Sequence, residues 1–467
     1  MQIIIISTNN PTLESYWQSY LTNPFRPLST IDAKFIVVHE DWPGGAGNGL
    51  GTLYAFEKAN QKAKSLYNLD LFKELDSGSS IAMYHTAGQG KRLYPLSASE
   101  GNNKSAVKLP TLVSQDHHTP LTMLEAVIRQ SVLYSYARKG RLCVFWGDQV
   151  FQPSQVCETD VDQPVSIIAK QQQIPDEMEW RINQYDRYGL FAYSPKGKIQ
   201  HLEKIGYQTL MELIDSKKID PDRGISMSLG SFNLSAKMLQ ALLQEFSSEL
   251  KKKNRKLDTD PHFWMPLTLD RETYVSVMRE KQEENPEEIF DRMQKLRKKF
   301  GEGVISIDDI GARADWWDYG TVTSYFMNNL KLVSPYSEGE HMRNFYRVQL
   351  SDHRSCLLDC EIGGGNIRNS LLIGVKAEEI DVENCVVIGT QAPFIHGRYS
   401  MFYNVKEDHE ISLAPGIIRA DVALSDRRIA MYTRQGRDSK ADWTEKLPQN
   451  PCSYEELYQK LNQEVFA

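Results

Sequence analysis

The amino-acid sequence predicts an α/β protein with a doubly wound, mostly parallel sheet over residues 1–335 and a small β-helix-like domain over residues 336–467. Apolar runs alternate with amphipathic stretches through about the first 160 residues, which is typical of a parallel sheet covered by helices. Two glycine-rich loops lie in the same region. After residue 336 the pattern changes to short β-branched runs separated by turn-forming residues.

The first elements follow from hydrophobic periodicity and turn residues. Residues 2–7 (QIIIIS) form a predicted buried strand, and residues 10–21 form a predicted capped helix with Pro11 in its first turn. Residues 33–40 (AKFIVVHE) are the second predicted strand, and residues 52–67 are a helix after the first glycine loop. The chain thus begins with two strand-helix units.

The next elements continue the alternation. Residues 79–86 (SSIAMYHT) form the third predicted strand, residues 120–140 a long helix, and residues 141–151 (RLCVFWGDQVF) the fourth strand, with Asp148 near its end. Further strands are predicted at 164–170 and 188–205.

The sequence also predicts one later helix, at residues 285–300. Asn285 is its predicted N-cap, followed by Pro286 and two glutamates. One face of this helix carries an apolar stripe that indicates packing: Ile289, Phe290, Met293, Leu296 and Phe300.

A short repeat characterises the C-terminal part. Residues 367–374 (IRNSLLIG) recur fifteen positions later as residues 382–389 (VENCVVIG). Repeats of this kind stack on one another to bury a core, which favours coils of a small parallel β-helix. A plain β-sandwich is the alternative.

Composition narrows the classes of function. The net charge of −7 and a single short basic run at residues 251–256 disfavour a nucleic-acid surface. The N-terminus lacks the features of a secretory signal, and no apolar stretch is long enough to span a membrane, so a cytoplasmic location is expected. The six cysteines have no zinc-ligand spacing and are predicted to be reduced thiols.

The two glycine loops, at residues 44–51 (GGAGNGLG) and 85–96 (HTAGQGKRLYPL), match neither the P-loop nor the dinucleotide fingerprint. In the second loop, Gly88 and Gly90 let backbone amides approach a polyphosphate closely, and Arg92 offers fixed donors to phosphate oxygens. One nucleotide needs one phosphate loop, so the first loop requires another role.

The second loop resembles the signature of the sugar-1-phosphate nucleotidyltransferases, or nucleoside-diphosphate-sugar pyrophosphorylases, which is roughly G-x-G-T-R-L/M-x-P-L followed by a lysine. Ala87 and Lys91 depart from that pattern. Further segments similar to the family's motifs are WGDQVF, YGLF with a later EK, SLGSFNLS and DWWDYGT. Ser228 replaces the usual Asn in the third of these. The resemblance covers about residues 1–330 and implies a Rossmann-like nucleotidyltransferase domain with a β-helix tail.

The resemblance also implies a set of site residues and Mg²⁺ as the cofactor. The implied metal ligands are Asp148 and Asp318, and the implied catalytic residues are Arg92 and Lys104. The implied nucleotide-binding residues are Gly47, Gly49, Gly51, Thr52, Gly88 and Gly90. The implied sugar-phosphate-binding residues are Gly189, Glu203, Lys204 and Gly230.

The segment GLGTLYAF resembles the family's base-reading segment, yet it precedes the phosphate loop here. A permuted strand order accounts for this: a sheet of spatial order 3-2-1-4 would be laid down as 2, 3, 1, 4. The order resembles that of the fucose-1-phosphate guanylyltransferases, where the catalytic lysine stands six residues before a proline. That spacing favours Lys104 over Lys108, whose role stays open.

The implied reaction makes an NDP-sugar, of the GDP-fucose type, and pyrophosphate from a nucleoside triphosphate and a sugar-1-phosphate. A UDP- or ADP-sugar pyrophosphorylase and a non-catalytic nucleotide-sugar-binding protein are the alternatives. A glycosyltransferase using the acidic pair at 258–260 and an acyltransferase using His396 are weaker ones. No nucleic-acid or membrane partner is expected, and a homo-oligomer stays open.

Overall fold

The computed structural model describes residues 2–23, 28, 32–114, 117–155, 162–183, 185–301, 303–351 and 354–465. Within them a mixed α/β region with a large sheet of parallel and antiparallel strands is followed by stacked short strands. The five described cysteines are free thiols, and Cys157 lies outside the described residues.

Strands and helices alternate only in the first part of the α/β region, and several later strands and helices follow one another directly. The strands are β1 (Gln2–Thr8), β2 (Ala33–His39), β3 (Ile81–His85), β4 (Lys108–Ser114), β5 (His117–Thr122), β6 (Arg141–Trp146), β7 (Gln149–Gln152), β8 (Val165–Gln172), β9 (Gly189–Tyr193), β10 (Ile199–Glu203), β11 (Ile225–Ser235), β12 (Ile305–Asp309) and β13 (Asp315–Asp318). The helices are α1 (Pro11–Thr22), α2 (Gly47–Tyr67), α3 (Leu71–Asp76), α4 (Leu96–Ser99), α5 (Met123–Ala137), α6 (Glu177–Asn183), α7 (Tyr207–Asp215), α8 (Ala236–Glu245), α9 (Ser247–Lys252), α10 (Met265–Thr268), α11 (Arg271–Glu280), α12 (Pro286–Phe300), α13 (Val322–Lys331) and α14 (Ser337–Tyr346). Short 3₁₀ turns occur at Lys91–Leu93 and Lys104–Ala106.

The large sheet contains nine strands within the described residues. Strands β2, β1, β3 and β6 pair in parallel in that spatial order, which is the predicted arrangement of the second, first, third and fourth strands. Strand β11 joins β6 in an antiparallel direction and continues the sheet to the β9–β10 hairpin. Strand β8 pairs with β11 and β12.

Both faces of the sheet are covered, as β1 illustrates. Ile4 and Ile6 pack in one hydrophobic cluster with residues of α1 and α5. Ile3 and Ile5 pack in a second cluster with residues of α2 and α8. All seven residues of β1 are buried, which explains why this strand is a continuous apolar run rather than an alternating one.

Two predicted boundaries differ from the structure. Helix α2 begins at Gly47, five residues before the predicted start, because the carbonyl of Leu257 accepts hydrogen bonds from the amides of Gly49 and Leu50 and so supports the first turn. The single strand predicted at 141–151 is instead two strands, β6 and β7, separated by a turn that contains Asp148.

Helix α12 occupies residues Pro286–Phe300, close to the prediction, but Asn285 makes no side-chain cap. Its φ of 52° places it in the left-handed region, where the side chain is not aimed at the first free amides. The predicted apolar face is otherwise correct, since Ile289, Phe290, Met293 and Leu296 are buried.

The C-terminal strands form two ladders. One contains β14 (Cys356–Leu358), β16 (Leu371–Ile373), β18 (Val386–Ile388), β20 (Met401–Tyr403), β22 (Ile417–Ala423) and β23 (Arg428–Arg434); the other contains β15 (Glu361–Arg368), β17 (Lys376–Glu383), β19 (Phe394–Arg398) and β21 (Ile411–Leu413). Helix α15 (Tyr454–Val465) follows.

Pairing in both ladders is parallel except between β22 and β23, and from β14 to β20 each step advances fifteen residues, so that Cys356 pairs with Leu371 and Leu371 with Val386. This is the period of the sequence repeat, and a plain β-sandwich would have antiparallel sheets. Alternate ladder residues face different clusters. Leu371 packs in the cluster that includes Leu93 and Leu109 of the α/β region, whereas Leu372 packs within the ladders. The ladders therefore share a core with the α/β region.

A capping box at the start of α5 offers a test of the fold. The Thr122 hydroxyl accepts from the amide of Glu125, whose carboxylate accepts from the amide of Thr122. Thr122→Ala should lower the free energy of unfolding by about 1 kcal/mol in urea denaturation. The control Thr119→Ala, at an exposed position of β5, should change it by less than about 0.5 kcal/mol. Equal losses in the two variants would contradict the capping role.

Candidate functional site

The candidate site lies at the carboxyl ends of β3 and β6, which are neighbours in the parallel part of the sheet. The amide of Gly147, just after β6, donates to the carbonyl of His85 at 3.0 Å, and the amide of Thr86 donates to the carbonyl of Ser7 at 2.8 Å. The chain turns away from the sheet at the ends of these two strands. In open α/β sheets this edge is where ligands bind.

Two acidic residues that are 170 positions apart in the sequence meet at this edge. Asp148 precedes β7 and Asp318 ends β13, and these strands pair with Gln149 opposite Asp318. The amide of Tyr319 donates to the carbonyl of Asp148 at 2.8 Å. A Cβ atom at Gly320 would stand 2.9 Å from Asp318 Oδ1 and 3.0 Å from Asp148 Oδ2. The two carboxylates thus border the same small space.

The electrostatics of this pair are unfavourable without added positive charge. Burial raises the pKa of Asp318 to about 6, and the negative charge of Asp148 contributes to the increase. The Gly320 amide, which donates to Asp318 Oδ1 at 2.7 Å, opposes that increase in pKa. Arg92 and Lys104 oppose it as well.

Lys104 is the nearest cation to the acidic pair. Its Nζ lies 3.2 Å from Asp148 Oδ2, and both side chains are mostly buried. Arg92 lies in the short turn at Lys91–Leu93 and is exposed, so its guanidinium is available to a ligand. Lys104 thus contacts Asp148, and Arg92 is near enough to oppose the rise in the pKa of Asp318. Their catalytic role stays a prediction.

The second glycine loop lies against Lys104. A Cβ at Gly88 would stand 3.6 Å from Lys104 Nζ, and one at Gly90 would stand 3.0 Å from Lys104 Cβ. Gly90 also has a φ of 67°, a conformation that glycine adopts without steric cost. A larger residue at Gly90 would crowd Lys104, whereas the space at Gly88 admits a Cβ in ordinary van der Waals contact.

The first glycine loop lies beside the site but many of its polar groups are already bonded. The amides of Gly49 and Leu50 donate to the carbonyl of Leu257 at 2.9 and 3.2 Å. The amide of Asn48 donates to Asp258 Oδ1 at 2.8 Å. A Cβ at Gly47 would stand 2.6 Å from the Leu257 carbonyl oxygen. These glycines permit close packing on the segment at 257–258, and their role toward a nucleotide stays a prediction.

The last residues of this segment lie near two strand ends: Gly51 lies near Glu40, just after β2, and Thr52 lies near His85, at the end of β3. A Cβ at Gly51 would stand 2.9 Å from Glu40 Oε2. The Thr52 hydroxyl lies 2.7 Å from His85 Nε2 and donates to the carbonyl of Asn48. Thr52 is buried, so it connects the helix to the site rather than facing solvent.

The sequence analysis assigned no role to His85, whose side chain lies between Thr52 and Trp146. Its ring centre lies 5.3 Å from that of Trp146, with the two ring planes tilted by 31°. Burial lowers the pKa of His85 to about 4, with a smaller effect from the charge of Lys104. The imidazole is therefore neutral at pH 7. Its position at the end of a strand and before a glycine loop is the signal that could have identified it.

Trp146 also packs closely against Gly230. A side chain at Gly230 would collide with the indole nitrogen of Trp146. The contacts Thr52 to His85, His85 to Trp146 and Trp146 to Gly230 form a continuous row along the carboxyl end of the sheet. Gly230 therefore belongs to the same edge as the two loops.

The β9–β10 hairpin carries the implied sugar-phosphate residues. Gly189 is paired with Glu203, and a Cβ at Gly189 would stand 3.1 Å from Glu203 Oε2. Lys204 Nζ lies 2.6 Å from Glu203 Oε1. The amide of Lys204 donates to the carbonyl of Tyr188 at 3.2 Å. Burial raises the pKa of Tyr188, and the negative charge of Asp318 raises it further. Tyr188, just before the hairpin, therefore lies near the acidic pair.

A buried polar group lies behind the hairpin. His201 Nε2 is 3.6 Å from Asp260 Oδ1 and 3.8 Å from Glu203 Oε2. Burial lowers the pKa of His201 to about 4, while burial and the charge of Glu203 raise the pKa of Asp260 to about 7. Within the described part of the chain, Glu203 Oε2 is buried and has no hydrogen-bond partner, so it is an unsatisfied acceptor.

Other residues singled out in the sequence lie elsewhere. Lys108 Nζ bonds Asn404 Oδ1 at 2.6 Å and pairs with Glu100 at 3.1 Å, in contact with the C-terminal ladders rather than the acidic pair. His396 is partly exposed, with Nε2 at 3.5 Å from Glu410. Asp258 lies beside the first turn of α2, whereas Asp260 lies beside His201.

Residues of the C-terminal region also contact the second glycine loop and the segment that follows it. Lys91 Nζ lies 4.5 Å from the centre of the Trp443 ring. The Ser439 hydroxyl donates to the carbonyl of Tyr94 at 2.8 Å. Asn102 Nδ2 donates to the carbonyl of Tyr458 at 3.0 Å. These contacts fix the segment between Arg92 and Lys104 from outside the α/β region.

The acidic pair fits a Mg²⁺ ion that keeps part of its water shell, because Mg²⁺ prefers oxygen ligands and is commonly bound through one or two carboxylates. No group of three or more His, Cys, Asp or Glu side chains suited to a metal occurs among the described residues. Two carboxylates are thus the protein ligands that this site offers.

No family model matches the sequence, and no curated protein matches it. The chain is similar to the mannose-1-phosphate geranyltransferase from Thermus thermophilus, with 13% identity, coverage of 82% of this chain and 98% of that chain, and a TM-score of 0.32. It is also similar to the mannose-6-phosphate isomerase from Helicobacter pylori, with 11% identity, coverage of 68% and 99%, and a TM-score of 0.24. Likenesses this weak have no bearing on the site.

Over the residues with a described structure, every helix is too short or too polar to cross a membrane.

The raised pKa of Asp318 predicts how the metal-free protein depends on pH. Because the folded-state pKa is about 6 and the ordinary value is 3.8, ionised Asp318 destabilises the folded state above pH 6, and the penalty shrinks as the pH falls from 6 toward 4. Asp318→Asn should therefore raise the free energy of unfolding at pH 7.5 by about 1–3 kcal/mol, and by less at pH 5.

The measurement is urea denaturation in EDTA at both pH values. Asp186→Asn, which removes the same charge at an exposed position, is the control and should have little effect at either pH. A loss of stability in Asp318→Asn at pH 7.5 would contradict the unfavourable pair.

Proposed function

We propose that the protein is a sugar-1-phosphate nucleotidyltransferase, which forms an NDP-sugar and pyrophosphate from a nucleoside triphosphate and a sugar-1-phosphate. The observation that carries the proposal is the meeting of Asp148 and Asp318 around Gly320, with Lys104 at 3.2 Å from one of them. The sequence resemblance implies the same four groups, including Arg92.

The proposed reaction is an in-line displacement. An oxygen of the sugar phosphate forms a bond to the α-phosphorus, the bond from that phosphorus to the oxygen bridging to the β-phosphate breaks, and pyrophosphate leaves with the electron pair. Negative charge accumulates on the phosphoryl oxygens, so the reaction needs cations and positioning more than a nucleophilic side chain. The site supplies both.

Asp148 and Asp318 would hold Mg²⁺, which when bound supplies positive charge to the α-phosphate oxygens. The raised pKa of Asp318 supports this role, because a buried carboxylate pair is stabilised by a shared cation. The turn between β6 and β7 and the pairing of β7 with β13 hold the two carboxylates in place.

Lys104 and Arg92 would bind the phosphates. Lys104 lies between Asp148 and the glycine loop, which places it to steady the α-phosphoryl group. Arg92, exposed in the turn after Gly90, would bind the leaving pyrophosphate through the fixed donors of its guanidinium. The amides around Gly88 and Gly90 would complete the phosphate site.

The β9–β10 hairpin would bind the sugar phosphate. Glu203 Oε2 is buried and lacks a partner among the described residues, so it would accept a hydrogen bond from a sugar hydroxyl. Lys204 would bind the incoming phosphate, while Gly189 and Gly230 would let Glu203 and Trp146 pack closely beside the sugar. A fucose-type sugar follows only from the order of the motifs.

The nucleoside would lie near the first glycine loop, including Gly47, Gly49, Gly51 and Thr52. Because the amides of Gly49 and Leu50 are already bonded to Leu257, we expect base recognition to use other groups of the loop. Guanine is preferred by the resemblance to the fucose-1-phosphate guanylyltransferases, and uracil and adenine are the alternatives.

We also propose that residues 1–335 are the catalytic domain and that residues 336–467 are a left-handed β-helix-like domain. The fifteen-residue steps of the two parallel ladders support the second assignment. An experimental structure would determine the hand of the coils, and sedimentation analysis would determine whether the domain joins copies of the chain.

The experiment that tests the proposed function is a matrix of four nucleoside triphosphates against a panel of sugar-1-phosphates with Mg²⁺, read by pyrophosphate release. Turnover with one pair would support the proposal and identify the base and sugar. Binding of a nucleotide sugar without any pyrophosphate release would instead favour a non-catalytic nucleotide-sugar-binding protein.

Loss of either phosphate-binding cation should slow the reaction. Arg92→Ala and Lys104→Ala should each lower kcat/KM by about a hundredfold, which corresponds to about 3 kcal/mol of transition-state stabilisation. Steady-state pyrophosphate release is the measurement. Arg313→Ala, at an exposed position near β13, should leave the rate within about twofold. Near-normal turnover in Arg92→Ala would remove Arg92 from the mechanism.

Glu203 should act on one substrate only. Glu203→Gln weakens the acceptor for a sugar hydroxyl and removes the partner of Lys204, so we expect KM for the sugar-1-phosphate to rise about tenfold while KM for the triphosphate changes little. The exposed Glu212→Gln is the matched control. Equal changes in both KM values would argue that Glu203 has a structural role.

A further inference from the structure

A cavity of about 480 Å³ separates the phosphate-loop region from the C-terminal ladders, outside the site described above. Ser99, Glu100 and Lys108 line one side of it, and ladder residues line the other. The segment from 99 to 108 that forms the first side also contains Lys104. A volume of this size is typical of pockets for small molecules.

The cavity is strongly positive. Four of its lining side chains are cationic, namely Lys108, Lys376, Lys406 and Arg428, and one is acidic, Glu100. This excess stands out in a protein whose net charge is −7. Clustered like charges repel one another, so an anion in the cavity would relieve an unfavourable arrangement.

Much of this positive charge is not neutralised by buried acids. Lys376 pairs with Glu361 at 2.7 Å in an exposed contact, which solvent screens. Arg428 donates to the carbonyl of Asn404 at 3.2 Å. No ion pair of Lys406 or Arg428 occurs within the described ranges. Their charges are therefore available to a ligand.

Lys108 is the exception, because Glu100 neutralises it. Its Nζ lies 3.1 Å from Glu100 Oε1 and 2.6 Å from Asn404 Oδ1. The same Glu100 oxygen accepts from the Tyr403 hydroxyl at 2.7 Å and from Asn404 Nδ2 at 3.0 Å. This network closes the inner end of the cavity with ordered donors and acceptors.

The fifteen-residue repeat sets the spacing of the ladder wall. Lys376, Gln391 and Lys406 are connected by parallel bridges, one per coil. Neighbouring strands are about 4.8 Å apart, so the two lysine backbones are about 10 Å apart with the glutamine between them. Two cations at this separation suit a small molecule with an anionic group near each end.

We propose that this cavity binds a small organic molecule that carries one or two phosphate groups. Lysine and arginine together provide the charge-assisted hydrogen bonds that phosphate oxygens accept. A cavity of about 480 Å³ suits a small ligand, whereas a nucleic acid would need a wide basic surface, which the charge balance does not provide. This inference is independent of the proposed catalytic function.

The test measures binding of 2,3-bisphosphoglycerate and of inorganic phosphate to the full chain by calorimetry in EDTA. The cavity variant is Lys406→Glu with Arg428→Glu. Its matched control, Arg368→Glu with Lys440→Glu, makes the same change in charge at exposed ladder-side positions outside the cavity. Arg92→Ala reports binding at the candidate active site, and Lys406→Gln with Arg428→Gln replaces the cavity variant if thermal unfolding shows the reversal to be misfolded.

We expect the wild type, the control and Arg92→Ala to bind the bisphosphate with Kd values within about twofold of one another, and the cavity variant to bind about tenfold more weakly or worse. Inorganic phosphate should bind at the same place but more weakly. Three results would overturn the proposal: no binding at about 10 mM probe, equal weakening in the control, or loss of binding in Arg92→Ala alone.

Discussion

The candidate site depends on keeping two like charges together. Asp148 and Asp318 approach the same point from segments that are distant in sequence, and the pKa of Asp318 is raised to about 6 as a result of burial and of Asp148. Backbone pairing of β7 with β13 imposes this proximity. Lys104 and Gly320 offset part of the repulsion, and the remaining deficit of positive charge is what makes the place suited to a cation and to phosphates.

The arrangement of the second glycine loop follows from the same constraint. Lys104 must reach Asp148 from a segment that contains little regular structure, between the short turns at Lys91–Leu93 and Lys104–Ala106. Such a segment needs contacts from elsewhere to hold one conformation. The C-terminal region supplies them through Trp443 on Lys91, Ser439 on Tyr94 and Tyr458 on Asn102. The ladders and the site are therefore parts of one packed unit, with a shared hydrophobic core.

The fold was predictable where the local pattern carries the information. The apolar run of β1, the order β2-β1-β3-β6 and the apolar face of α12 agree with expectation. The two wrong predictions have different causes, one a distant segment and the other a local backbone conformation. Helix α2 begins early because Leu257, about 200 residues away, accepts its first amides, and Asn285 is not a cap because its backbone is left-handed.

By itself, the sequence determined the candidate phosphate-binding residue types, their place near the ends of predicted strands or in the following loops, and the fifteen-residue period of the C-terminal strands. Those features are local, since hydrophobic periodicity and glycine spacing act over a few residues. Only the tertiary structure decided that Asp148 and Asp318 meet, that neutral His85 lies between Thr52 and Trp146, and that Lys108 faces the ladders. These depend on which distant segments pack against each other, and strand pairing and shared burial set that across the whole chain.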